Sequence, residues 1–391
     1  MKKSYTLIIS ILLLNVSIGQ NQFQAVLIDS VYNITSVDRH VPILETTNGD
    51  YIACSSIFTD DHFKSDFLIT KFDSNGTTIW STILSTINRD RRAALIEISD
   101  NQFIFSGWVA QNYGGIDDWY IAKIDQNGNV LNEVFIGDSG DDQCYGLLSI
   151  DNNNFYAYGV GFGFDMTLVK MNNEMEIEWS KIYGSPGRHE PLKFTKTSNG
   201  NLVSCGVYGE NDLLLNKFDA SGNVLWAKTI GGTGQEIGRD ITESTDKCYL
   251  CIGYTDSYGA GSLDILVSKI SNTGELIWSK SYGSTGEDKA VSIIKKSSDT
   301  YFISGYSNSF GNGSFDILMM EIDEDGNLIS AHSYGGENDE MEGTGCLTSD
   351  GGVIIAAYTE SYGTGTSDLL LIKTDSTGKS CCGNTIDDII I

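Results

Sequence analysis

Asp212-Leu213-Leu214-Leu215-Asn216-Lys217-Phe218-Asp219-Ala220-Ser221-Gly222-Asn223-Val224-Leu225-Trp226 returns, in altered form, along the whole chain. The recurring part is an Asp, three mostly apolar residues, one variable position, a Lys, an apolar residue and a short turn that most copies open with Asp. The leading Asp is Asp66, Asp118, Asp165, Asp212, Asp264, Asp316 and Asp368. The Lys is Lys71, Lys123, Lys170, Lys217, Lys269 and Lys373, with Glu321 as the exception. Turns such as Asp219 to Asn223 and Asp323 to Asn327 are hairpin chemistry, because Asp bonds to backbone just downstream and Gly takes a positive φ. A second hairpin per unit is marked by Asn48-Gly49-Asp50, Asn199-Gly200-Asn201 and Asp350-Gly351-Gly352, ahead of apolar runs such as Val353-Ile354-Ile355. Four strands in each of seven tandem units predict an all-β fold, a seven-bladed β-propeller with four-stranded blades.

Spacing predicts how the ring closes. The position nine after the Lys or Glu321 (Trp80, Asn132, Trp179, Trp226, Trp278, Ser330) stands 27 residues before a small residue of the next unit: Gly107, Gly159, Gly206, Gly253, Gly305 or Ala357. Counting 27 back from Ser55, the first unit's small residue, lands on Ile28, which assigns Val26 to Tyr32 to the missing outer strand of the seventh blade. The last unit ends in Ser380-Cys381-Cys382-Gly383, a poor copy of that strand. The N-terminal strand therefore closes the ring and covers the open edge. The expected boundaries are a signal peptide at 1–19, the propeller at 20–380 and a C-terminal tail at 381–391.

The signal peptide is read from Lys2 and Lys3, the apolar run from Leu7 to Leu14, and the small residues Ser17 and Gly19 before Gln20. It predicts a secreted, periplasmic or cell-surface protein. No later stretch approaches the ~20 apolar residues of a membrane helix, so no membrane insertion is expected. With 25 Lys and Arg against 52 Asp and Glu, the net charge of −27 repels phosphate backbones and excludes nucleic acid as a partner. Of the eight cysteines, Cys54, Cys205 and Cys251 fall in apolar strands, where a small buried thiol is the usual occupant.

Length variation falls in one loop, between the small residue and the leading Asp. It is long in five units and short in two, Gly159 to Asp165 and Gly206 to Asp212, in blades 3 and 4. The face carrying these loops should be notched there. The connection Ser185-Pro186-Gly187-Arg188-His189-Glu190 borders the notch, and the short loops bring Phe162, Phe164 and Tyr208. Arg188, His189, Glu190, Phe162, Phe164 and Tyr208 are thus candidate ligand-binding residues, offering stacking surfaces and a rare cation to a sugar or peptide. The plainer account of Arg188 is that it offsets neighbouring carboxylates.

Catalytic signals are lacking. His40, His62, His189 and His332 sit in no motif of nucleophile, base and orienter, so no catalytic residue is assigned. The leading aspartates are read as caps for loop amides rather than a ring of metal ligands. Asp141-Asp142, Glu236, Glu287-Asp288 and Asp339-Glu340 in the blade connections are read as a solvated acidic rim, with a bound calcium ion as the alternative. No other cofactor is expected.

The runs from Lys217 to Trp226 and from Lys71 to Trp80 resemble the repeats of secreted β-propeller proteins common in Bacteroidetes, over nearly all of the mature chain. The same pattern is similar to the tryptophan-docking repeats of pyrroloquinoline-quinone propellers, which implies a quinone and calcium in an eight-bladed ring. Seven units, and a Cys381-Cys382 pair in the tail, assign the recurrent Trp to blade packing instead. The expected function is an exported, non-enzymatic propeller that binds an extracellular polymer (glycan) or protein partner. The alternatives are a carboxylate-dependent polysaccharide hydrolase or lyase, a quinone-dependent oxidoreductase, and a structural module of a cell-surface assembly.

Overall fold

In units 1 to 6 the segment that opens at the leading Asp forms the third and outer strands of an antiparallel sheet. Blade 4 runs His189–Lys196, Leu202–Tyr208, Asp212–Phe218 and Val224–Ile230 from inner to outer strand. The computed structural model describes residues 6–7, 11–16, 22–27, 36–37, 41–58, 65–85, 90–98, 101–110, 116–161, 165–184, 187–209, 211–297, 299–363, 367–381 and 383–386. Seven such sheets form the ring. Their inner strands pack side by side from blade to blade, and Glu340–Leu347 of blade 7 meets Ile43–Glu45 of blade 1.

The small residue of each second strand has a steric cause. In blades 3 to 6 the inner strand carries one extra residue opposite it: Tyr145, Leu192, Arg239 or Val291. Such a bulge turns a carbonyl over the neighbouring strand. A Cβ on Gly159, Gly206, Gly253 or Gly305 would collide with the carbonyl oxygen of Gln143, Glu190, Ile237 or Lys289 respectively.

Blades are latched to one another on the outside. The ring of Trp80 lies on Gly128 in the next blade's outer hairpin, and Trp179, Trp226 and Trp278 lie likewise on Gly222, Gly274 and Gly326. Trp80 Nε1 donates to Gln126 O at 2.8 Å and Trp226 Nε1 to Asn272 O at 3.1 Å. These glycines are needed twice over, for the ring's approach and for φ between +74° and +87°. The two positions without Trp differ: Asn132 faces a turn built on Met175, at φ +64° and with its side chain buried, whereas Ser330 belongs to a blade whose neighbouring turn keeps Gly378 at φ +78°.

The N-terminal strand closes the ring as expected, in a different register. Phe23–Leu27 pairs with Asp368–Lys373, and Phe23 stands opposite Lys373 just as Trp278 stands opposite Lys269. Ile28, assigned to that place from spacing, lies outside the described residues. The shift is five residues, an odd number, so it exchanges the two faces of the strand. Its physical reason is the latch: the Phe23 ring is buried on Gly76 of blade 1 and does what Trp does elsewhere. Outside these strands, Ile11–Val16 pairs with Phe23–Leu27, Thr6–Leu7 with the outer strand of blade 1, and Asn384–Thr385 with that of blade 6.

The repeated Lys serves the hairpin face. Lys71, Lys269 and Lys373 reach back to the inner hairpin of their own blade, meeting Asp50 at 3.0 Å, Asp246 at 2.8 Å and Asp350 at 2.9 Å. The exception is a reversed pair, in which Glu321 Oε1 meets Lys296 Nζ at 2.5 Å. Glu321→Lys should cost about 3 kcal/mol, the order expected when a buried partner is lost, and Lys296→Asp added to it should recover most of that. Urea unfolding of the wild type, both single variants and the double variant measures the coupling, and an additive result would refute the reversed pair.

Candidate functional site

The loops between second and third strands and the connections between blades share one face. Gly234 N and Gln235 N, in a connection, donate to Ser257 Oγ and Asp256 Oδ1 in a loop, and Asn338 N donates to Ser361 Oγ at 2.9 Å in blade 7. In blades 5 to 7 this face is built around the acid that opens each inner strand. Glu236 accepts Gly232 N at 2.5 Å and Thr255 Oγ1 at 2.7 Å. Asp288 accepts Ser284 N, Ser307 Oγ and Ser309 Oγ. Glu340 accepts Gly336 N at 2.6 Å, Thr359 Oγ1 and Ser361 N.

The acidic rim is therefore not a solvated one at these positions. Asp142, Glu236, Asp288 and Glu340 are buried; they are consumed in holding loops, while Asp141 stays exposed. Burial pushes the carboxyls of Asp142, Asp288 and Glu340 above the usual range, against the bonds they accept. The leading aspartates cap as expected: Asp264 Oδ2 accepts Gly261 N at 3.0 Å and Asp316 Oδ2 accepts Gly313 N at 2.9 Å. Among the described residues, no three His, Cys, Asp or Glu side chains converge as a metal centre requires.

Blade 4 breaks the pattern. Where blades 5 to 7 set a carboxylate across from a hydroxyl (Glu236 and Thr255, Asp288 and Ser307, Glu340 and Thr359), it sets His189 across from Tyr208. Their rings meet edge-on at 4.9 Å, and His189 Nδ1 lies 3.0 Å from Gly187 O. Glu190, one residue on, is turned the other way and buried. It accepts Arg188 Nε at 2.6 Å and lies 3.2 Å from the Tyr145 hydroxyl. Arg188 is half exposed and neutralised by Glu190, as the plainer reading had it. The structure thus brings Arg188, His189, Glu190 and Tyr208 together; Phe162 and Phe164 lie outside the described residues.

One residue on this face escaped the sequence reading. Three long loops carry the same aromatic, at Tyr258, Phe310 and Tyr362. Phe310 and Tyr362 pack on core clusters, and the Tyr362 hydroxyl donates to Gly335 O at 3.0 Å. Tyr258 is 59% exposed. Tyr258 follows the short loop of blade 4, whereas Phe310 and Tyr362 follow the long loops of blades 5 and 6. Comparing each loop with its neighbour, rather than with the consensus, would have found it.

The channel between the inner strands carries paired charges. Arg239 of blade 5 crosses to Glu342 of blade 7 at 2.9 Å, and Glu342 is held at φ +75° in a bulge with Gly343. Asp240 accepts Ile293 N at 3.0 Å and lies 4.0 Å from Lys193 Nζ. Lys289 Nζ sits over the rings of Tyr254 and Tyr306, at 5.5 and 5.7 Å.

No protein-family model matches the chain. The regulatory protein FlaEY of Caulobacter vibrioides is 22% identical over 142 residues, which are 31% of this chain and 15% of FlaEY, so the match spans a small part of that relative. Among solved structures, the WD40 domain of Toxoplasma gondii coronin aligns with a TM-score of 0.57 at 8% identity, covering 96% of this chain and 87% of that one. Sqt1 from Chaetomium thermophilum, bound to the N-terminus of ribosomal protein L10, has a TM-score of 0.49 at 10% identity, covering 88% of this chain and 100% of its own. A protein of unknown function from Dyadobacter fermentans has a TM-score of 0.45 at 12% identity, covering 73% and 95%. At such identities the coronin likeness shows the fold, a β-propeller, and nothing finer.

Glu190 and Arg188 should differ sharply on substitution. Arg188→Ala removes a half-exposed partner and should cost less than about 1 kcal/mol. Glu190→Ala takes the acceptor from both Arg188 and the Tyr145 hydroxyl and should cost about 2 kcal/mol. Thermal unfolding of the two variants ranks them, and the reverse order would show that Arg188 has a structural role of its own.

Proposed function

We propose that this protein is an exported, non-enzymatic propeller that docks an extracellular partner, a neutral glycan chain or a protein segment, over the short loops of blades 3 and 4. The observation that carries this reading is the uncovered Tyr258 beside the sector where the repeat loses its loops and replaces a carboxylate–hydroxyl pair with His189 and Tyr208. Exposed aromatic rings supply stacking area at low entropic cost, and the Arg188–Glu190 pair adds a donor fork and an acceptor without net charge. Such a set suits sugar hydroxyls and peptide groups, while the net charge of −27 opposes anionic polymers. An enzymatic reading through paired carboxylates finds less support, because the acids that open the inner strands of blades 5 to 7 are committed to loop amides and hydroxyls.

Residues 20 to 391 should show saturable binding to a neutral glycan, or to a protein of the producing cell's envelope, without product release. Tyr258→Ala and Tyr208→Ala should each weaken it about tenfold, as for an aromatic anchor. Lys228→Ala, on the outer strand, should leave it unchanged. Binding that ignores both tyrosines would move the surface elsewhere, and turnover of the bound glycan would replace docking with catalysis.

A further inference from the structure

At three blade junctions two buried carboxyl groups meet. Asp316 opens the third strand of blade 6 and Glu340 the inner strand of blade 7, and they are 1% and 0% exposed. Gly335 separates them so narrowly that a Cβ there would collide with both Asp316 Oδ1 and Glu340 Oε2. Asp264 and Asp288 meet over Gly283 in the same way, and Asp118 and Asp142 crowd Gly137. The chain thus places the same pair between blades 2 and 3, 5 and 6, and 6 and 7.

The bonds at the junction of blades 6 and 7 leave one atom over. Asp316 Oδ2 accepts Gly313 N, Glu340 Oε2 accepts Gly336 N, and Glu340 Oε1 accepts Thr359 Oγ1 and Ser361 N. Asp316 Oδ1, equally buried, has no partner. The other charges facing these groups do not offset them: Asp339 lies beside Asp316, Asp138 and Asp141 flank Asp142, and Lys289, which follows Asp288, turns its ammonium to Glu287 at 2.9 Å and to the rings of Tyr254 and Tyr306. Among the described residues, no Lys, Arg or His forms an ion pair with Asp316, Glu340, Asp264 or Asp288. Two adjacent buried carboxylates cannot both stay ionised cheaply, and a proton between them satisfies the orphan oxygen without needing room.

We propose that these junctions each hold one proton between two carboxyl groups, Asp316 with Glu340 foremost, so that the loop-bearing face is fastened by acid–carboxylate hydrogen bonds that are lost as pH rises. Burial raises the carboxyls of Asp142, Asp288, Asp316 and Glu340 alike. A carboxyl whose folded value lies above its unfolded value binds an extra proton in the native state. Its stabilisation is present at low pH and is lost between the ordinary value, about 4, and the raised one. The turn aspartates run oppositely. Asp219, held below the usual range by Asn223 and Ser221, stabilises at neutral pH and loses that contribution on acidification. The proton-sharing pairs are therefore read from differences between variants.

Asp316→Asn supplies a permanent donor where the proton would sit. Its urea midpoint at about pH 8 should equal or exceed that of the wild type, and between about pH 5 and 8 its stability should change by about one proton less. The infrared spectrum of the wild type at about pH 6, where free carboxylates are ionised, should show a protonated carboxyl band that Asp316→Asn reduces. Asp264→Asn should behave alike at the junction of blades 5 and 6, and the wild-type spectrum decides the matter even if one variant fails to fold. No protonated band at that pH, or an Asn variant less stable at every pH, would overturn the proposal. So would calcium that raises the midpoint of the wild type but not of Asp316→Asn, since the orphan oxygen would then be a cation ligand.

Discussion

One contact recurs at five of the seven blade junctions and orients the rest, an aromatic side chain of one blade's outer strand lying on the turn glycine of the next. Blades packed face to face would otherwise be held by apolar burial alone, which is non-directional. The latch adds direction, since the ring fits only over a residue without Cβ in a left-handed turn, and the indole also donates to the turn's backbone. At Asn132 and Met175 the ring and the glycine are lost together, whereas Ser330 lacks the ring and the turn beyond it keeps Gly378, so the glycine also serves the turn itself. Closure reuses the device through Phe23 on Gly76. The entropy of closing the full ring is carried instead by the pairing of Phe23–Leu27 with Asp368–Lys373 and by the packing of the last inner strand on Ile43–Glu45.

The two faces of the disc resolve their polar groups differently. On the hairpin face each need is met within a blade or by its neighbour: Asp219 Oδ1 accepts Ser221 N and Asn223 N, and the repeated Lys neutralises a hairpin acid. On the loop face, buried acids gather amides and hydroxyls from a connection and a loop some twenty residues apart. Much of the chain's acidity is thereby structural. It organises long loops at the cost of burying charge, and the carboxyl pairs at the blade junctions are where that cost is concentrated.

The period, the blade count, both hairpins and the borrowed strand were legible because each is local pattern: strand alternation, turn chemistry and a constant spacing. Glu321 was visible as an exception but not as a reversed pair, since its partner Lys296 belongs to a hairpin 25 positions earlier in sequence. The register of the closing strand was missed because counting from Ser55 assumes a standard blade 1, whereas register is set by where an aromatic can reach Gly76. Burial of Glu236, Asp288 and Glu340 was hidden for a related reason: an acid reads as exposed until the donors that satisfy it are brought together. At the candidate site, Arg188, His189, Glu190 and Tyr208 were found through a departure from the repeat. Tyr258 keeps to the repeat, and only its neighbour departs.

Departures from the repeat on the loop face are not scattered. The two short loops, the Arg188 connection and the His189–Tyr208 pair fall in blades 3 and 4, while blades 5 to 7 keep the long loop and the carboxylate–hydroxyl pair, their own departures, Glu321, Ser330 and Phe23, lying in the third and outer strands. In a tandem-repeat fold each unit meets the same neighbours and the same packing demands, so structure alone favours the same solution everywhere. Blade 4 gives up the long loop, the acid and the hydroxyl together, and because rule-breaking of this kind concentrates at binding sites, the proposed docking surface is placed there. On the proposed function, the regular blades build the ring and the irregular ones use it, and Tyr258, regular in sequence and exposed, stands at the border between the two.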